Sequence, residues 1–170
     1  MKFLVLALCV VAAAADPHWL MMPDNEVQAV KSTWAAVNHD EVEILYAVFK
    51  AHPDIQARFP KFAGKDLDSI KGSADFAIHA SRIVSFFNEF IALLGHENTQ
   101  PAIKTILNQL GQTHRNRGIT KQQFEEFHDS LTVYLKGHTN WNAAASQAWD
   151  DAFDKMYFVV FSALDGHPVA

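Results

Sequence analysis

An all-α domain of six to eight helices is the fold this sequence predicts, and three observations carry the prediction. Apolar residues recur at helical spacing from Asp24 almost to the C-terminus. No run alternates apolar and polar residues between hairpin-type turns. Seven Gly and six Pro among 170 residues are too few for a string of small sandwich domains. The length fits one domain with a sizeable core, and no internal repeat, low-complexity tract or linker divides it.

Each element has its own signal. Asp24 can cap a first helix, in which Val27, Val30, Trp34 and Val37 make one stripe. Ile44, Leu45, Val48 and Phe49 mark a second, which should end near His52, since Pro53 disfavours the α conformation in the residue before it. Pro53 can then open a short helical turn. Arg58 to Lys65 reads as a corner, with Phe59 and Phe62 turned inward. The longest stripe follows, Phe76, His79, Ile83, Phe86, Phe87, Phe90 and Leu94, and Gly95 can end it. After a polar loop from His96 to Pro101, Ile103, Ile106, Leu107, Leu110 and His114 share a face that Gly118 closes. Thr120 to Gln123 fits a capping box for a helix buried through Phe124, Phe127, Leu131, Tyr134 and Leu135 and broken by Gly137. Asn142 can cap the last helix, with Trp149, Phe153, Met156, Tyr157, Val160 and Leu164 inward and Gly166 and Pro168 as the stop.

The first fifteen residues read differently. Met1 and Lys2 give a positive start, Phe3 to Val11 is unbroken apolar sequence, and Ala12 to Ala15 supplies the small residues of a cleavage site. Residues 1–15 are therefore expected to be a signal peptide removed on secretion, leaving a domain of residues 16–170. The apolar run is shorter than the roughly 20 residues of a spanning helix, so no membrane anchor is expected. Cleavage removes Cys9, the only cysteine, which closes disulfide, thiolate-metal and thiol-nucleophile readings together. A net charge of −5 without a basic run makes nucleic acid an unexpected partner.

Two histidines interrupt apolar faces: His79 among Phe76, Ile83 and Phe86, and His114 after Leu107 and Leu110. A lone core-facing histidine is usually just a satisfied polar group. Two of them on separate apolar helices suit a large apolar cofactor with a metal at its centre. One neutral imidazole can bind iron on one side of a flat macrocycle if its other ring N–H has an acceptor, and the Leu110 carbonyl stands one turn before His114. The other imidazole, on the opposite side, can donate a hydrogen bond to a diatomic ligand. The remaining histidines read as arm, loop or helix-end residues, with His128 on a solvated face. No HExxH, phosphate loop, dinucleotide fingerprint or GxSxG occurs.

Trp34, the corner ARFPKFAGKDLDSIK, the segment FAIHASRIVSFF and the segment THRNRGIT together resemble the globin family, and within it the secreted haemoglobins of midge larvae. The resemblance covers Asp24 to Leu164. It implies a globin fold around a haem pocket holding haem b, iron protoporphyrin IX. It makes His114 the proximal iron ligand, His79 the distal histidine acting through the bound gas, Ile83 the distal aliphatic neighbour and Phe59 the ring packed on the haem. Leu110 and Ile119 match proximal contacts, and Phe62 and Phe127 belong to the pocket wall. Arg82 and Arg117 are candidates for the haem propionates. One departure is the length between His79 and His114, several residues above a typical globin, for which Gly95 to Gln100 is the natural place.

The implied function is reversible binding of O2 and other diatomic gases, for transport or storage in an extracellular fluid such as haemolymph, by a protein that is not an enzyme. The enzyme-class alternative is a haem-dependent peroxidase or nitric oxide dioxygenase; the second needs electron delivery, for which this length holds no flavin-type domain. A haem-less helical interaction module is disfavoured by the histidine pair. A homodimer is compatible with the sequence, which does not fix the oligomeric state.

Overall fold

A computed structural model describes residues 21–170. The expected signal peptide and His18 lie outside the described residues. Eight α-helices carry these residues, with no strand among them: α1 (Asp24–Ala35), α2 (Glu41–Ala51), α3 (Pro53–Ala57), α4 (Leu67–Lys71), α5 (Ala74–Leu93), α6 (Gln100–Arg115), α7 (Lys121–His138) and α8 (Ala143–Leu164).

Local chemistry sets most boundaries. Ser73, Thr120 and Asn142 each accept a backbone N–H of the following first turn, and Thr120 and Gln123 form the full reciprocal capping box. Pro53 opens α3 directly behind α2, as its missing N–H allows. Gly95 and Gly118 follow α5 and α6 with φ of +86° and +69°, a conformation glycine adopts without a Cβ clash. Three expectations are corrected. Pro23, not Asp24, is the N-cap of α1, with Asp24 as its first helical residue, where a carboxylate favours the helix dipole. The segment after His96 is not a plain loop, because a 3-10 turn (Glu97–Thr99) runs into α6, which begins at Gln100. Gly137 does not break α7, which continues to His138. A glycine in a helix costs about 1 kcal/mol relative to Ala, too little to end a helix that Tyr134 and Leu135 already hold by burial.

The helices pack in crossing pairs: α6 and α1 lie on α8, while α2 lies on α5 and α7. Most buried apolar side chains form one large cluster through Trp34, Phe87, Trp149 and Phe153. Its buried indole N–H groups are satisfied: Trp149 Nε1 donates to Thr33 Oγ1 at 2.7 Å and Trp34 Nε1 to Asn88 Oδ1 at 2.7 Å. A second cluster gathers Leu45, Phe49, Phe62, Phe76 and Ala80 beneath the α2–α3 corner. Ile83 and Phe127 pack against both clusters and so mark the seam between them.

Candidate functional site

At that seam the long stripe of α5 divides. Phe76, Val84, Phe87 and Phe90 are buried in the core, whereas His79, Ile83 and Phe86 are only partly buried one step round the helix. Only 33% of the most apolar 18-residue stretch of α5 is buried, although the helix is apolar enough in length and composition to cross a membrane. The protein alone thus leaves α5 with apolar surface to spare beside a histidine. Facing it, α6 presents Ile106, Leu110 and His114, likewise partly buried. A cavity of about 400 Å³ opens between the two helices, lined by Arg82, Phe86 and Glu89 of α5 and Ile106, Gln109, Leu110 and Thr113 of α6. A larger cavity of about 600 Å³ lies between α2 and α7; neither cavity is lined by His79 or His114, but only the smaller is lined by the two helices that carry them, through Arg82 and Phe86 of α5 and Leu110 and Thr113 of α6.

His114 sits in the last turn of α6. Its Nδ1 lies 2.8 Å from the Leu110 carbonyl, a group that can only accept, which places the ring proton on Nδ1 and leaves Nε2 with a lone pair. Thr113 Oγ1 donates to the same carbonyl at 3.0 Å. Burial lowers the His114 pKa, opposed by the Leu110 hydrogen bond, and the Arg117 charge lowers it further. The neutral ring is therefore favoured, and that is the form that binds a metal.

His79 packs edge-on to Phe59, with ring centroids 4.4 Å apart, and more distantly to Phe62. Burial is the main cause that brings its pKa down to about 4, and the charges of Arg82, His114 and Arg117 add to it. Those charges reach His79 because the four residues surround one space. Neutral His79 keeps an N–H to donate at ordinary pH.

Of the residues singled out in the sequence, Phe59, Phe62, His79, Ile83, Leu110, His114 and Phe127 sit in or against the seam, with Phe62 fully buried as a support beneath Phe59 and the others partly buried. Arg82 and Arg117 are exposed at its margin, and Ile119, whose N–H donates to the His114 carbonyl at 3.1 Å, follows the end of α6. Phe86, Thr113 and Phe124 were not foreseen as site residues. Phe124 lies 5.1 Å from His114, ring to ring, and Tyr157 of α8 anchors it by donating to its carbonyl at 2.6 Å. Its stripe was legible in sequence; its place beside His114 depends on how α7 crosses α6.

The donor set fits haem: partly buried Ile83 and Phe86 on α5 and Ile106 and Leu110 on α6, one imidazole whose Nδ1 is committed so that Nε2 carries the lone pair, and a second neutral imidazole nearby. The globin family model matches residues 42–160. The chain is a globin. Among curated relatives it is similar to Globin CTT-X of Chironomus thummi thummi, 60% identical over 150 residues that make up 88% of this chain and 99% of that protein. Globin CTT-IX of the same midge is 51% identical, covering 95% of this chain and 98% of the relative. Among solved structures, hemoglobin component TA-VII from Tokunagayusurika akamusi superposes with a TM-score of 0.83 at 48% identity, covering 87% of this chain and 99% of that one. This globin therefore resembles midge haemoglobins along nearly its whole described length.

Proposed function

We propose that this globin is an extracellular haem protein that binds O2 reversibly, for transport or storage in a fluid such as haemolymph, with haem b as its cofactor. One observation carries the reading: two desolvated, neutral histidines on α5 and α6 lie close enough for the charge of one to act on the other, and one of them has its Nδ1 already committed. When bound, haem supplies an iron that takes up a diatomic gas. His114 holds that iron through Nε2, while the Leu110 carbonyl fixes its tautomer and keeps the ring turned. His79 would offer its N–H to the bound gas, and Phe59, packed edge-on against it, limits how far its ring can swing. Ile83, Leu110, Ile119 and Phe127 exclude water from the faces of the macrocycle, with Phe62 packed behind Phe59. Arg82 and Arg117, exposed near His79, would be available to pair with the propionates.

Secretion rests on the sequence of residues 1–15, and the secreted form should begin near Asp16, which an intact-mass measurement reads directly. An absorption spectrum of the purified protein tests the central reading. A Soret band with a stable oxygenated form is expected. Rapid turnover of peroxide would move the protein to the enzyme class, and the absence of a Soret band would leave a haem-less helical module.

A further inference from the structure

Away from the haem gap, the corner between α2 and α3 meets α7 at His52, Asp54 and Glu126. One ligand-capable atom from each lies within 4.8 Å of the others. Glu126 Oε2 is buried with no hydrogen-bond partner, which is unfavourable for a carboxylate oxygen. His52 Nδ1 stands 3.9 Å from it. That is beyond hydrogen-bond reach and about half an ångström wider than the roughly 3.4 Å between two ligands of a tetrahedral ion bound at about 2.1 Å each, so a small inward shift of the two side chains would seat an ion.

The carboxylates are held as ligands are held. Gln122 Nε2 donates to Glu126 Oε1 at 2.7 Å, and Gln123 Nε2 donates to Asp54 Oδ2 at 3.1 Å. Neighbouring amides of α7 thus grip each acid by one oxygen and leave the second oxygen for another partner. Gln123 is itself buried, and its Oε1 accepts from the Thr120 N–H in the capping box, so this support is fixed at both ends.

We propose that His52, Asp54 and Glu126 form a binding site for a divalent cation of the zinc type. One imidazole nitrogen and two carboxylate oxygens suit zinc, whereas calcium and magnesium prefer oxygen ligands alone. His52 is partly exposed and Asp54 exposed, which provides an entry path and room for a water as fourth ligand. Closing the set to tetrahedral spacing requires the side chains to move inward by up to roughly 1.4 Å, which the exposed position of Asp54 allows. The ion would fasten the α2–α3 corner, which leads to Phe59, against α7.

Calorimetric titration of the haem-loaded protein with zinc chloride, calcium chloride and magnesium chloride at pH 7.5 tests the site. One zinc equivalent is expected, with neither calcium nor magnesium binding there. His52→Ala, Glu126→Gln and Asp54→Asn, the last at an exposed position, should each weaken zinc at least about tenfold, while His96→Ala, at an exposed histidine elsewhere, leaves it unchanged. The Soret band and melting curve report whether each variant is folded, and Asp54→Asn decides the matter if a buried variant is not. Absence of zinc binding, zinc affinity that survives Asp54→Asn, or equal affinity for calcium would each overturn the proposal.

Discussion

His79 can donate only while it is neutral, and both its environment and its partners favour that state. O2 accepts a hydrogen bond in the pocket far better than CO does. A hydrogen bond to a charged acceptor is worth about 1.5 to 3 kcal/mol, so His79→Leu should accelerate O2 dissociation about ten- to hundredfold while CO dissociation changes much less. Stopped-flow rates check this, with Arg82→Leu beside it: a large effect in that variant alone would move the donor role to Arg82. The same residue ties stability to acidity. In the unfolded chain His79 takes a proton near pH 6.5, but in the folded protein only near pH 4. As the pH falls, the unfolded state therefore gains its proton first, and stability declines from about pH 6.5 until the loss is complete below about pH 4. The loss is at most about 3 kcal/mol, reduced by solvent screening at the pocket margin. Urea midpoints across that range should fall less steeply in His79→Leu; parallel curves for the two proteins would show that another group governs the decline.

Between elements, the position of His114 is set where α6 crosses α8. A Cβ on Gly111 would come within 2.5 Å of the Val160 carbonyl oxygen and 2.6 Å of the Ala163 Cβ, so the two helices touch through the missing side chain. Backbone cannot rotate away as a side-chain tip can. Gly111→Ala should thus cost about 1 to 3 kcal/mol through overpacking, more than the roughly 1 kcal/mol that the better helix former returns. Because α6 also carries His114, haem retention should weaken in step. Denaturant midpoint and haem transfer to an acceptor globin measure the two effects, and an unchanged midpoint would mean that α6 slides without strain. His128 shows the converse dependence on packing. Expected on a solvated face, it is half-buried, stacked 3.7 Å from Phe153 of α8, and its pKa is lowered by burial against the raising charges of Asp129, Asp150 and Asp154.

For the whole molecule, the cofactor and the fold support each other. Ile83 and Phe86 of α5 and Ile106 and Leu110 of α6 stay partly exposed in the protein alone, surface that the proposed haem would cover, and a ligand present at about 1,000 times its dissociation constant adds about 4 kcal/mol to the folded state. His114→Ala removes the proposed iron ligand, so the Soret band should diminish and the melting temperature drop markedly, whereas His96→Ala should alter neither. A normal five-coordinate spectrum in His114→Ala would reassign the proximal ligand. The sequence by itself determined what depends on near neighbours: six helices from their periodicity and the short α3 from Pro53, though not α4, the caps Thr120 and Asn142 that sit three residues before the N–H they accept, and the Leu110 carbonyl four residues before His114. It also marked His79 and His114, because polar residues on apolar stripes break a local pattern. Tertiary structure alone decided what distant segments bring together: the split of the α5 stripe into a core face and a gap face, Phe124 beside His114, His128 on Phe153, and His52, Asp54 and Glu126 at one corner. Helical spacing fixes which side chains share a face, but the crossing of two helices far apart in sequence fixes what each face meets.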